Sequence, residues 1–116
     1  MTRLRTLAAC VAALALSSPA FGQSPGPAGN AEAGSQKVQM CQGCHGIPGW
    51  RTAYPEVYRV PKIAGQHQAY LVKALQEYKS GARTHPSMRA IASSLSDADM
   101  ANVAAYYAQS GLRVAQ

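Results

Sequence analysis

The feature that most constrains the fold of this chain is the pentapeptide Cys41-Gln42-Gly43-Cys44-His45. On a helix, residues three positions apart lie on the same face, one turn apart. Two thiols at that spacing can add across the two vinyl groups along one edge of a haem. His45 is then held under the iron as an axial ligand. The pentapeptide therefore predicts one covalently attached haem, with thioether bonds from Cys41 and Cys44.

Three other interpretations of the pentapeptide have less support. A structural zinc site needs four ligands, and no second Cys or His pair occurs at a suitable spacing. A thioredoxin-like redox pair is accompanied by a βαβ pattern, which the sequence lacks. A disulfide between cysteines three positions apart would close a very small loop, stabilise little, and leave His45 unexplained.

The N-terminus predicts export. Residues 1–5 carry two arginines, residues 7–16 are apolar, and a small-residue site, Ala20-Phe21-Gly22, follows. This order is typical of a secretory signal peptide, here residues 1–22, cleaved near Gly22. The apolar run is shorter than the about 20 residues of a membrane span. Leu7-Ala8-Ala9-Cys10 resembles a lipoprotein acylation site, but most of the apolar run follows the cysteine. We therefore expect a periplasmic protein with no transmembrane segment after cleavage.

Cleavage after Gly22 would leave 94 of the 116 residues, without Cys10 and without Phe21, the only phenylalanine. A domain of this size with one Trp and six Tyr buries little large apolar surface, so it needs a stabilising cross-link or cofactor. A haem answers that need because it can occupy the centre of the fold. The net charge of +6 falls to +4 without Arg3 and Arg5. That surplus is too small to suggest nucleic acid and fits an acidic protein partner.

The mature chain divides into a flexible linker and one domain. Residues 23–29 are rich in Pro, Gly and Ser and predict the linker, which leaves 30–116 as the domain. A first helix is expected to begin at the N-cap Asn30 and to run into the Cys41–His45 pentapeptide. A second helix is expected from about His67 to Ser80, with Gly81 as its stop. Its apolar stripe consists of Tyr70, Leu71, Ala74, Leu75 and Tyr78.

A third helix has the clearest start signal, because Ser96 and Asp99 form a capping box; its end is expected at Gly111. Two connectors, Gly46–Gln66 and the Pro-interrupted Arg83–Ser94, separate the helices. No repeat and no credible strand is present. The sequence therefore predicts an all-α domain with about three main helices and long loops wrapped around one haem.

The second axial ligand has four candidates downstream of His45, namely His67, His85, Met88 and Met100. Met100 belongs to the apolar stripe of the third helix, and His67 lies at the start of the second, where exposure is expected. His85 and Met88 both lie in the second connector, which can fold over the open haem face. A thioether suits haem iron and raises its potential, so Met88 is favoured and His85 stays the alternative.

The chain from Gly34 to Tyr107 resembles the small class I bacterial cytochromes c, closest to the cytochrome c553 and cytochrome c4 group. Five elements carry the resemblance, in the same order and at similar spacing: Gly34, CQGCH at 41–45, PKIAGQHQAYL at 61–71, PSM at 86–88 and LSDADMANVAAYYA at 95–108.

The resemblance implies that Met88 is the sixth iron ligand and that the carbonyl of Pro61 accepts a hydrogen bond from Nδ1 of His45. It also implies that the terminal helices cross at Gly34 and Tyr106. The chain departs from the group in two respects. Cytochromes c4 have two such domains where this chain has one Cys-x-x-Cys-His, and the loop Gly46–Val60, with Trp50, Tyr54 and Tyr58, looks longer than usual.

A six-coordinate iron has no open position for a substrate, so the resemblance implies an electron carrier and not an enzyme. Reductases or dehydrogenases are the expected donors, and an oxidase or another protein the acceptor. Five basic residues are candidates to surround the exposed haem edge: Lys62, Lys73, Lys79, Arg83 and Arg89. Two alternatives stay open, a haem c subunit of a larger dehydrogenase and a five-coordinate ligand-binding or peroxidatic haem protein.

Overall fold

The computed structural model describes residues 28–54 and 57–113, with side chains as far as Ser110. The predicted signal peptide and residues 23–27 of the predicted linker lie outside the described residues. Within the described ranges the chain is helical, and its extended segments meet only at an isolated antiparallel bridge between Arg51 and Arg59. The prediction of an all-α domain is confirmed.

The described residues form five helices, where the sequence predicted about three. They are α1 (Ala31–Ser35), α2 (Gln39–His45), α3 (Gln68–Ser80), α4 (Pro86–Ser93) and α5 (Asp97–Arg113). The two additional helices come from a break within the predicted first helix and from a short helix within the second connector.

The predicted first helix is interrupted by a tight turn at residues 36–38. The N–H of Lys37 donates to the carbonyl of Gly34 at 2.9 Å, a three-residue spacing that tightens the helix end. Asn30 caps α1 as predicted, because its side chain accepts from the N–H of Ala33. The turn leaves the Cys41–His45 pentapeptide on its own short helix, α2.

Pro86 begins α4, whereas the sequence predicted a connector that Pro86 interrupts. Proline has no N–H and a fixed φ, and both suit the first position of a helix. His85 is the N-cap, and the helix runs from Pro86 to Ser93. Met88 is therefore on the first turn of a helix and not on an irregular loop.

The other helix boundaries largely follow the prediction. α3 ends at Gly81, which has the left-handed φ of 88° that favours glycine at this position. At the start of α5 the N–H of Asp99 donates to Ser96 Oγ at 3.1 Å, while the N–H of Ser96 donates to Asp99 Oδ2 at 3.2 Å. This is the predicted capping box. The expected end at Gly111 is wrong, since α5 continues to Arg113.

The terminal helices α1 and α5 cross at Gly34. A Cβ on Gly34 would collide with the backbone carbonyl of Asn102 and approach Cβ of Tyr106 to 3.0 Å, so only glycine permits this contact. A small apolar cluster lies beside the crossing, formed by Val38, Leu71, Val103, Ala104 and Tyr107. Its inner face borders a cavity between α2, α3, α4 and α5.

Candidate haem site

The cavity has a volume of about 360 Å³ and a mainly apolar lining. Pockets of a few hundred Å³ with apolar walls are typical of cofactor sites. The structure brings all five site residues predicted from the sequence into its wall: Cys41, Cys44, His45, Pro61 and Met88. Residues from three separate stretches of the chain thus meet at one concave surface.

One side of the cavity is formed by α2 and the loop that follows it. Cys41 is partly buried and Cys44 is exposed, and both thiols are free. His45 Nδ1 donates a hydrogen bond to the carbonyl oxygen of Pro61, at 2.7 Å. A hydrogen bond of this kind fixes the ring orientation and tautomer of a ligating histidine. It leaves Nε2 as the nitrogen available to a metal.

Helix α3 supplies an apolar wall. The stripe predicted for the second helix lines the cavity in full: Tyr70, Leu71, Ala74, Leu75 and Tyr78. Helix α4 adds Met88 and Ile91, and Leu95 follows from the turn before α5. The wall suits a flat, largely apolar group because burying apolar surface against such a group is favourable.

Of the four candidates for the second axial ligand, Met88 and His85 line the cavity. Met100 is completely buried in the core, as its position in the apolar stripe predicted. His67 is the exposed N-cap of α3. Nδ1 of His85 accepts a hydrogen bond from the backbone N–H of Met88, at 3.3 Å.

The charged side chains at the cavity are cationic. Arg59, Lys62 and Arg83 line it, and no carboxylate does so among the described residues. The guanidinium of Arg83 donates to Glu77 Oε2 at 2.6 Å. It also donates to the Tyr70 hydroxyl at 3.4 Å and lies over the Tyr70 ring. These contacts raise the pKa of Arg83, the one to Tyr70 most strongly. They also hold its guanidinium at the cavity wall.

The hydroxyl of Tyr107 is the one buried side-chain polar atom without a hydrogen-bond partner in the described part of the chain. Tyr107 is 5% exposed and lines the cavity beside Cys41. Burial, together with the neighbouring Cys41, holds the pKa of Tyr107 well above its usual range. The thiol of Cys41 also interacts with this hydroxyl, so the polar groups of Tyr107 and Cys41 meet at the wall of the cavity.

Two features of this site were not predicted from the sequence. The sequence places Tyr107 in the apolar stripe of the third helix, which gives no role for its hydroxyl. The capping role of His85 was also missed, although the order His85-Pro86, a polar residue directly before a proline that opens a helix, could have suggested it.

Two kinds of feature are absent from the described residues. No group of three or more His, Cys, Asp or Glu side chains in the described ranges is arranged to hold a metal ion by itself. Among the described helices, none is both long enough and apolar enough to span a bilayer.

The fold and the site together define an all-helical domain that binds a flat cofactor through a Cys-x-x-Cys-His helix. The cytochrome c family model matches residues 31–110. Over 87 residues the chain is 40% identical to cytochrome c4 of Pseudomonas aeruginosa, and this aligned region covers 75% of this chain and 41% of that protein. Over 83 residues it is 39% identical to cytochrome c-554(548) of Halomonas halodenitrificans, covering 69% of this chain and 95% of that protein.

A solved structure gives the same result. The crystal structure of reduced recombinant cytochrome c4 from Pseudomonas stutzeri superposes with a TM-score of 0.58 at 38% identity, covering 72% of this chain and 46% of that chain. The chain spans about two fifths of the length of the cytochrome c4 relative from Pseudomonas aeruginosa.

The chain belongs to the cytochrome c family. The class I cytochrome c fold and the resemblance to the c553 and c4 group are thereby confirmed. Membership of the family implies a covalently attached haem c with its iron. The cavity fits this group, because its walls are apolar and Cys41, Cys44 and His45 lie together at its surface.

Proposed function

We propose that this chain is an exported, mono-haem electron carrier. Cys41 and Cys44 would form the two thioether bonds of the haem, and His45 and Met88 would bind its iron. The observation that carries the proposal is the meeting of Cys41, Cys44, His45 and Met88 at one apolar cavity. The hydrogen bond of His45 to Pro61 supports the assignment, since it directs Nε2 to the iron.

The bound haem supplies a reversible one-electron couple, and the protein sets its potential. Pro61 holds the ring of His45 so that electron transfer requires little movement of this ligand. The apolar side chains of α3 exclude water, which disfavours the more highly charged ferric state. The thioether of Met88 acts in the same direction, because a soft ligand favours ferrous iron.

Two of the described carboxylates, Glu77 and Asp99, have structural roles. Glu77 pairs with Arg83 and Lys73, and Asp99 pairs with Lys37 and takes part in the cap of α5. None of these lines the cavity. With both axial positions filled by the protein, the site favours an electron carrier over an enzyme.

The cations at the cavity support an acidic redox partner, since Arg59 and Lys62 are exposed at the wall of the haem site. We place the protein in the periplasm, with residues 1–22 removed as the signal peptide.

Mass spectrometry of the denatured, purified protein tests the attachment. We expect the mass of one haem added to a chain that begins near Gln23, because thioether bonds survive denaturation. Replacement of Cys41 or Cys44 by Ala should sharply reduce the amount of mature protein, since the haem also completes the core. Haem that is extracted by acidic organic solvent would contradict the proposal.

A further inference from the structure

The residue directly before α4 connects three parts of the site. His85 has extended backbone angles, φ −160° and ψ 112°, and is the N-cap of the helix. Its Nδ1 accepts from the N–H of Met88, at 3.3 Å. Its carbonyl accepts the first helical hydrogen bond, from the N–H of Arg89 at 2.9 Å. His85 therefore accepts hydrogen bonds from two backbone N–H groups at the start of α4, those of Met88 and Arg89.

This cap concerns the haem site because the residue that it holds is Met88. The first residues of a helix have N–H groups without intrahelical partners, and a side chain at the N-cap can satisfy the one at the third position. Pro86 has no N–H, and Met88 occupies that third position. The imidazole of His85 thus holds the backbone of the residue that we assign as the sixth iron ligand.

The His85 ring is in turn held by the loop that the sequence marked as long. The rings of Tyr58 and His85 lie with centroids 5.4 Å apart and planes inclined by 59°. The loop around Tyr58 has a local pairing of its own, since the N–H of Val60 donates to the carbonyl of Trp50 and that of Thr52 to the carbonyl of Tyr58, both at 2.9 Å. This pairing fixes the side of the loop that faces His85.

We propose that His85 is a positioning residue for Met88: its imidazole caps α4 and, supported by Tyr58, holds the first turn of that helix so that the thioether stays at the haem site. The inference rests on the proposed function, because it takes Met88 as the iron ligand. It gives His85 a role other than ligation, and it gives the Gly46–Val60 loop a contact on the Met88 side of the cavity.

Three variants of the haem-loaded protein test this role. His85→Ala removes the cap, while His85→Asn replaces it with another good capping residue. Asn30→Ala is the matched control, since it removes the cap of α1, where Asn30 accepts from the N–H of Ala33 at 2.9 Å, away from the cavity. Each variant is measured for the long-wavelength band of the ferric iron–thioether bond, the reduction potential, the rate of carbon monoxide binding and the melting temperature.

We expect His85→Ala to weaken the band, lower the potential and raise the carbon monoxide binding rate by up to about fivefold, the population shift that the loss of one typical cap produces. His85→Asn should restore most of each change, since it replaces the cap but not the ring contact with Tyr58. Asn30→Ala should lower the melting temperature and leave the other three unchanged, because its cap does not hold Met88.

The opposite results separate the two proposals. A wild-type band that persists unchanged in His85→Ala, or that Asn30→Ala weakens equally, would overturn the positioning role and leave Met88 as a ligand. Loss of the sixth ligand in both His85→Ala and His85→Asn, from a wild type without the thioether band, would make His85 the ligand and overturn both. A wild-type protein that lacks the band would overturn the axial assignment of Met88 itself.

Discussion

At the scale of single residues, the hydroxyl of Tyr107 distinguishes this cavity from an ordinary apolar core. A phenylalanine would fill the same volume without burying a polar group, yet α5 places a tyrosine there, 5% exposed and beside Cys41. In the haem-loaded protein the sulfur of Cys41 would be a thioether, and a thioether sulfur, like a thiol sulfur, is a weak hydrogen-bond acceptor. We therefore expect the hydroxyl of Tyr107 to donate to the sulfur of Cys41, with which it interacts.

Tyr107→Phe should therefore destabilise the haem-loaded protein by about 1 kcal/mol, the contribution of a typical hydrogen bond. The measurement is chemical denaturation followed by the haem absorbance. Tyr106→Phe is the control, because the Tyr106 hydroxyl accepts only a long, exposed hydrogen bond of 3.4 Å from Gln42. A Tyr107→Phe protein more stable than wild type would show that the hydroxyl stays unpaired when haem is bound.

At the scale of the secondary-structure elements, the sequence was sufficient where one local signal acts alone. The capping box of Ser96 and Asp99 and the stop at Gly81 predicted the start of α5 and the end of α3. The break after α1 was not predictable, because the turn residues 36–38 include no glycine or proline that would signal the end of a helix. Helix α4 was not predicted, because a proline either breaks a helix or is favourable as its first residue, and the sequence around Pro86 does not distinguish the two.

The crossing of α1 and α5 gives a prediction about packing. Gly34→Ala should destabilise the protein by about 1–3 kcal/mol, or more, because the added methyl group collides with the backbone of Asn102, which cannot rotate away. Gly43→Ala is a matched control on α2, where a Cβ meets no atom within 4 Å. Melting curves of the two variants test this. Equal melting temperatures would contradict the assigned close contact.

At the scale of the whole molecule, the described cations are unevenly used. Lys37 and Lys73 pair with Asp99 and Glu77, whereas Arg59 and Lys62, both exposed, line the haem cavity and have no ion pair among the described residues. The pentapeptide alone predicted Cys41, Cys44 and His45, whereas Met88 was predicted with the help of the family resemblance and Pro61 only through it. Of the five basic residues expected around the haem edge, Lys62 and Arg83 line the cavity, while Arg59 was not expected there. Its position depends on how the loop before α3 folds over the cavity.

This distribution predicts salt-dependent association. Lys62→Glu should slow electron transfer with an acidic partner by about fivefold at low ionic strength, the effect of roughly 1 kcal/mol of Coulomb energy between close charges in water. Lys37→Glu changes the net charge equally but lies away from the cavity, so its effect should be smaller. Stopped-flow rates measured against ionic strength test both variants. A rate indifferent to salt and to Lys62 would indicate apolar docking.

The central claim is that Met88 completes the iron coordination, and optical spectroscopy of Met88→Ala beside Met100→Leu tests it most directly. We expect the ferric protein to show the weak long-wavelength band of an iron–thioether bond. Met88→Ala should abolish this band, lower the reduction potential and open the iron to carbon monoxide or cyanide. Met100→Leu should keep the spectrum and cost less than about 1.5 kcal/mol, because Met100 is buried in the core and leucine has a similar volume. A Met88→Ala protein that keeps its sixth ligand, with no gain in carbon monoxide or cyanide binding, would contradict the account.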